Sequence, residues 1–152
     1  MCWFQFNSHR VTEMRSPTAR TKRYLEKQGC VVEVVEKWIP IAKHPGGGIR
    51  RDLFDVIDIL CVRPARLSTN VHVEQRSHGL IAIQSTSGSN HTARVKKALA
   101  SHKLRLFLMT GNQFEIWSWS KKGARGKRKT WQPRIDTLVI EGGEVKVVRE
   151  NE

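Results

Sequence analysis

Ile49-Arg50-Arg51-Asp52-Leu53-Phe54-Asp55-Val56-Ile57-Asp58-Ile59-Leu60-Cys61-Val62 and, after a polar turn region, Leu80-Ile81-Ala82-Ile83-Gln84-Ser85-Thr86-Ser87 decide how the chain is read. Both runs are apolar and strand-like, and each carries one oxygen-bearing side chain between apolar neighbours, Asp58 in the first and Gln84 in the second. A carboxylate so placed has to be hydrogen-bonded, ion-paired or metal-bound, because an uncompensated buried charge costs on the order of several kcal/mol. Asp58 is therefore the first functional candidate. The plainer alternative is an acid at a strand edge paired with Arg50 or Arg51. For Gln84 the plain alternative is a satisfied sheet amide, and Asp52 reads as a turn residue or helix cap.

A strand over Val56–Val62 alternates, with Val56, Asp58 and Leu60 on one face and Ile57, Ile59 and Cys61 on the other. In the strand Leu80–Gln84, Ala82 and Gln84 share a face that Thr86 continues, and the small Ala82 leaves room beside Gln84. Residues 63–79 between the two strands are polar, with a short strand at Val71 and Val73.

Upstream, Ser16-Pro17 reads as an N-cap followed by proline at the first helical position, and Gly29 as the stop of a helix over about 17–28. Arg20, Lys22, Arg23 and Lys27 charge its outer side, over a thin apolar stripe of Ala19, Tyr24 and Leu25. Cys30–Ile41 is rich in β-branched residues and predicts a strand, interrupted by Glu33 and Glu36. His44-Pro45-Gly46-Gly47-Gly48 is a loop leading into Arg50 and Arg51; it lacks the Lys-Ser/Thr ending of a phosphate-binding P-loop. Residues 1–13 read as an N-terminal extension, with Met14 as an expected alternative translation start; the plain alternative is a short edge strand or disordered tail. Residues 14–152 then form one domain.

Downstream, Ser87-Gly88-Ser89-Asn90 caps a helix over His91–His102 that carries Arg94, Lys96 and Lys97. Leu104, Leu106 and Leu108 alternate with Arg105, Phe107 and Met109 and predict a further strand. Gln113–Ser120 leads into a basic turn of Lys121, Lys122, Arg125, Lys127, Arg128 and Lys129, returning through Trp131–Ile135 as a basic C-terminal hairpin. Trp117, Trp119 and Trp131 beside these cations suit phosphate contact and base stacking, or alternatively pack on the sheet. A terminal hairpin joins Leu138–Ile140 to Val145–Val148 through Gly142-Gly143. The fold class is α/β, a mixed central sheet flanked by helices.

The chain has 152 residues, 39% hydrophobic and 27% charged, with a net charge of +13. Such an excess favours a polyanionic partner, nucleic acid first, although it also serves solubility alone. Cys2, Cys30 and Cys61 are dispersed and form no Cys-x-x-Cys pair, so neither zinc site nor disulfide framework is indicated. The six histidines show no metal-ligand spacing, and most read as surface residues. No apolar run reaches the ~20 residues of a membrane span, and a soluble, cytoplasmic protein without membrane contact is expected.

In the residues Val35-Glu36-Lys37-Trp38, Arg50 through Asp58, Ile83-Gln84-Ser85-Thr86, Asn90 and Arg94, the chain resembles the PD-(D/E)XK nuclease superfamily. Its order of helix, strand, Gly-rich loop, Asp-bearing strand, Gln-bearing strand and helix is similar to that of archaeal-type Holliday-junction resolvases and phage- or prophage-encoded nuclease-like proteins. The resemblance covers about residues 16–119 and implies a restriction-endonuclease-like fold with a Mg²⁺ (or Mn²⁺) site. It places Asp58 at the metal-binding aspartate, Gln84 at the position of the second acid and Thr86 at that of the lysine. Two of the three signature residues thus depart from the pattern. Gln84 still offers a carbonyl oxygen to a hard cation, whereas Thr86 does not replace a cation. Lys96, Lys97 or Arg94 on the following helix would stand in for the lysine. Glu36 completes the metal set better than Glu26, and Asp55 is a further carboxylate.

The expectation is a metal-dependent DNA endonuclease, structure-selective in the manner of junction resolvases and a homodimer whose two sites address two strands. Phosphate contact falls to Arg50, Arg51, Arg94, Lys96 and the basic turn from Lys121 to Lys129. The alternatives are a catalytically inactive nuclease fold that binds nucleic acid or a protein partner, and an interaction protein such as a phage-encoded inhibitor.

Overall fold

A computed structural model of the chain describes residues 16–40, 47–64 and 79–149. The N-terminal extension, Met14 and the strand expected at Val71 and Val73 lie outside the described residues, as do residues 41–46 of the loop before Gly48.

Helix α1 (Pro17–Lys27) begins as the sequence dictates: the Ser16 hydroxyl accepts from the Ala19 amide at 3.1 Å, and Gly29 takes the positive φ of +80° that ends it. Strands β1 (Val31–Val34), β4 (Ile59–Arg63) and β5 (Gly79–Ser87) form an antiparallel meander. A 3₁₀ turn at Gly88–Asn90 leads to helices α2 (His91–Leu99) and α3 (His102–Met109), which cross over to β6 (Gln113–Lys122), parallel to β5. Strands β7 (Thr130–Glu141) and β8 (Glu144–Arg149) follow antiparallel, giving a mixed six-stranded sheet in the order β1-β4-β5-β6-β7-β8. Strands β2 (Lys37–Pro40) and β3 (Gly48–Arg51) pair with each other in a separate antiparallel hairpin.

The sheet is covered on both faces. Leu25 of α1 packs on Val32, Ile59, Cys61, Ile81, Ile83, Trp117 and Trp119. Ala98, Leu104 and Leu108 of α2 and α3 pack on Ala82, Phe114, Ile116 and Leu138 of the opposite face. Strand β5 therefore alternates between two apolar layers, which is why it reads as a continuous apolar run. Within the α1 layer, Thr21 bonds the Ser85 hydroxyl at 2.8 Å and accepts from the Trp119 indole N–H at 2.8 Å, fixing the helix to β5 and β6.

Several expectations are corrected. Leu104–Met109 is a helix and not a strand: the Ser101 hydroxyl caps it by accepting from the Leu104 amide, and Leu104 and Leu108, four apart, are buried while Leu106 is 50% exposed. Strand β4 starts at Ile59 and not at Val56, because residues 53–57 close a tight turn in which Phe54 and Asp55 have φ of 53° and 66°. Val56 and Ile57 are consequently both buried, and the alternation expected there fails. The strand over Cys30–Ile41 divides into β1 and β2 at Val35-Glu36, whose two N–H groups turn to the Asp58 carbonyl at 2.8 and 3.3 Å. The helix expected to reach His102 stops at Leu99. Strand β7 runs unbroken through Pro133 to Glu141, joining what reads in sequence as two strands.

Candidate functional site

Asp58 sits just before β4, 4% exposed, where three segments meet. Its N–H donates to the Ile83 carbonyl at 3.0 Å, and its own carbonyl accepts from Val35 and Glu36. The carboxylate oxygen Oδ2 accepts from the Ser85 backbone N–H at 2.9 Å and from the side-chain amide of Gln84. Neither Arg50 nor Arg51 pairs with it, so the strand-edge ion pair is replaced by amide donors. Burial pushes the Asp58 carboxyl up to about 7 against the pull of the Ser85 N–H; the negative charges of Asp52 and Glu36 push the same way, and Arg94 opposes them.

Those charges define a cluster. The tight turn at 53–57 folds Asp52 back toward Asp58, and the Asp52 carboxylate lies 3.8 Å from Arg94 and 3.9 Å from Lys97, both on α2. Glu36, at the junction of β1 and β2, lies 3.5 Å from Arg50 of β3. Gln84 contacts Asp58 directly, Glu36 and Arg94 act on it through their charge, and Lys97 reaches only Asp52. Thr86 is buried on the same strand as Gln84. Lys96 and Arg51 are exposed. Asp55 pairs instead with Lys103 at 2.9 Å, which holds its carboxyl below the usual range.

The cluster offers carboxylate and amide oxygens around one buried carboxyl, the donor type a hard divalent cation takes, while Asp52 and Glu36 are already paired with Arg94, Lys97 and Arg50. The side chains that would hold one are Asp58, Glu36 and, after rotation of its amide, Gln84 through its carbonyl oxygen. Among the described residues no three His, Cys, Asp or Glu side chains stand close enough to share an ion. Water would have to complete the coordination, as Mg²⁺ tolerates.

Two features were not foreseen. Asp52, read as a turn residue, is the partner of both α2 cations; its signal was its place within one turn of Asp58. His91 is buried and not a surface histidine: its Nε2 lies 2.9 Å from Asp136, which Arg134 also grips, while its Nδ1 has no partner. The separation of 45 positions between His91 and Asp136 gives no spacing signal. This contact pins the first residue of α2 to β7 and so fixes the helix that carries Arg94 and Lys97.

The basic turn between β6 and β7 is exposed throughout, at Lys121, Lys122, Arg125, Lys127, Arg128 and Lys129. Trp117 and Trp119 are buried and meet Tyr24 edge-on at 5.5 and 5.9 Å, which removes them from base stacking. Trp131 is 43% exposed with the Arg20 guanidinium 3.8 Å over its ring, tying the base of the hairpin to α1.

No helix among the described residues is long and apolar enough to cross a membrane. In comparisons with family models, curated proteins and solved structures, the chain matches none.

Proposed function

We propose that this protein is a divalent-metal-dependent DNA endonuclease of restriction-endonuclease-like fold, hydrolysing phosphodiester bonds at Asp58. The order α1-β1-β4-β5-α2-β6, with β5 and β6 parallel, supports this reading. The observation that carries it is the approach of Lys97 and Arg94 to Asp52 beside Asp58. Position 86 lacks a lysine, and the helix supplies cations to the same cluster. When bound, Mg²⁺ or Mn²⁺ would polarise the phosphodiester and acidify a water molecule. Asp58 and Glu36 would hold the cation, and Gln84 orients Asp58. Arg94 and Lys97 offset charge on the phosphate, and the basic turn and Arg50 attract the DNA backbone. Incubation with branched, duplex and single-stranded DNA should give cleavage that needs Mg²⁺ or Mn²⁺ and is lost in Asp58→Ala; cleavage undiminished in that variant would refute the assignment.

A second reading rests on the Gln84 amide. Its N–H, and not its carbonyl, faces Asp58. A site that satisfies its carboxyl internally in this way suits a protein that binds DNA without cutting it. Calorimetric titration separates the two: metal uptake lost in Asp58→Asn favours the endonuclease, and its absence in the parent protein favours the inactive fold.

A further inference from the structure

A groove of about 770 Å³ runs between α1 and the β2–β3 hairpin, lined by Lys22, Arg23, Glu36, Trp38 and Arg50 among others. We propose that it receives an unpaired strand of DNA, with one base stacked on Trp38, and delivers that strand to Asp58. The inference rests on the DNA reading above and adds a substrate class to it, namely DNA carrying a single-stranded segment.

The aromatic platform is built into the hairpin. Trp38 pairs with Arg50 in the β2–β3 register and Gly48 lies diagonally across from it. The indole lies so close over Gly48 that an added Cβ would fall 2.3 Å from the ring. Glycine at this position thus lets the ring lie across the partner strand, while 57% of the residue stays exposed at the groove. An exposed tryptophan fixed in orientation stacks a base of any identity at little entropic cost.

The walls match a sugar-phosphate backbone. Lys22 and Arg23 stand on α1 and Arg50 on β3. Lys22 meets Glu26 at 3.9 Å and Arg50 meets Glu36 at 3.5 Å, with both cations substantially exposed. The exposed Lys22–Glu26 pair is weak, and the exposed Arg50 guanidinium is open to phosphate oxygens beside Glu36. Glu36 connects the groove to the buried acid, since it lines the groove while its backbone N–H donates to the Asp58 carbonyl. The volume lies within the range of about 300–1,000 Å³ for clefts that enclose small ligands. It suits a short strand segment and not a duplex.

The test is fluorescence anisotropy in EDTA, which reads binding without cleavage, using a fork with a single-stranded tail and a blunt duplex of equal length. The full chain should bind the fork more tightly. Trp38→Ala should weaken fork binding about 5- to 100-fold, the loss of one stacked base, and leave duplex binding within twofold. Trp38→Phe should keep most of the affinity. Gly48→Ala, which displaces the indole without removing it, should lower fork affinity in the same direction while the fold persists by circular dichroism. Equal losses on both DNAs, unchanged fork binding in Trp38→Ala, or no fork preference in the parent would overturn the proposal. Metal-dependent cleavage with no fork preference would leave the endonuclease reading intact and remove only this inference. Absence of binding to either DNA would remove both.

Discussion

Gln84 donates its side-chain amide to Asp58 Oδ2, so a neutral group occupies the position where a second carboxylate would bring negative charge against a buried acid. The site is thereby relieved of one repulsion, and on the endonuclease reading a cation bound there would gain one anionic ligand fewer. Gln84→Glu should reverse both effects. In EDTA at pH 8 we expect a loss of roughly 1–3 kcal/mol of folding stability from the missing donor and the added like charge. Saturating Mn²⁺ should restore more stability in the variant than in the parent. Denaturant melts with and without metal measure this, and equal metal-induced shifts in the two proteins would refute it.

Asp58 also sets a pH dependence opposite to that of a salt-bridged carboxylate. Its proton is held to about pH 7 in the folded protein, whereas the ordinary value is 3.8. Between these values the folded state binds more protons than the unfolded chain, so stability falls as pH rises and the loss is complete above about pH 7. Asp58→Asn should remove that slope and stabilise the metal-free protein at pH 8 by roughly 1–4 kcal/mol. Stability curves from pH 4 to pH 8 check it; a parallel slope in the variant would assign the dependence elsewhere.

Lys97 and Arg94 approach the same carboxylate from one face of α2. Lys97→Ala should lower the cleavage rate about 10²- to 10³-fold, the usual effect of removing one charge-stabilising group. Its effect on DNA affinity should stay below about tenfold. Single-turnover kinetics with saturating protein separate rate from binding. A loss confined to affinity would reduce Lys97 to a phosphate contact.

The turn between β6 and β7 should act through long-range charge alone. Replacing Lys127, Arg128 and Lys129 with glutamine should reduce the dependence of log affinity on log salt by about 2–3, at roughly 0.9 per phosphate contact on duplex DNA. Binding measured from 50 to 200 mM salt gives the slope, and an unchanged slope would place the DNA elsewhere.

Much of the centre was legible in the sequence because burial leaves a chemical trace. Asp58 and Gln84 stood out as polar atoms in apolar runs, and they touch. Glu36, Lys97 and Arg94 were named from their place on neighbouring elements; Glu36 and Arg94 act on Asp58 through their charge, and Lys97 pairs with Asp52. Asp52 was hidden because its role depends on a turn through two left-handed residues, Phe54 and Asp55, that no pattern in the sequence announces. The helix at His102–Met109 was misread because Leu104, Leu106 and Leu108 satisfy a period of two as well as the i, i+4 pair that is actually buried. The buried His91–Asp136 contact joins residues of β7 and α2 that only the assembled sheet brings together.

The two backbone amides that converge on the Asp58 carbonyl have a consequence for biosynthesis. Asp58 is held at once by Val35 and Glu36, by the Ile83 carbonyl and by Ser85, and Ser85 is tied through Thr21 to Trp119. A nascent chain that has emerged only as far as β4 has the acid but none of the β5 and β6 groups that orient it. On the endonuclease reading, cutting would therefore await the emergence of β5 and β6, whose groups orient the acid.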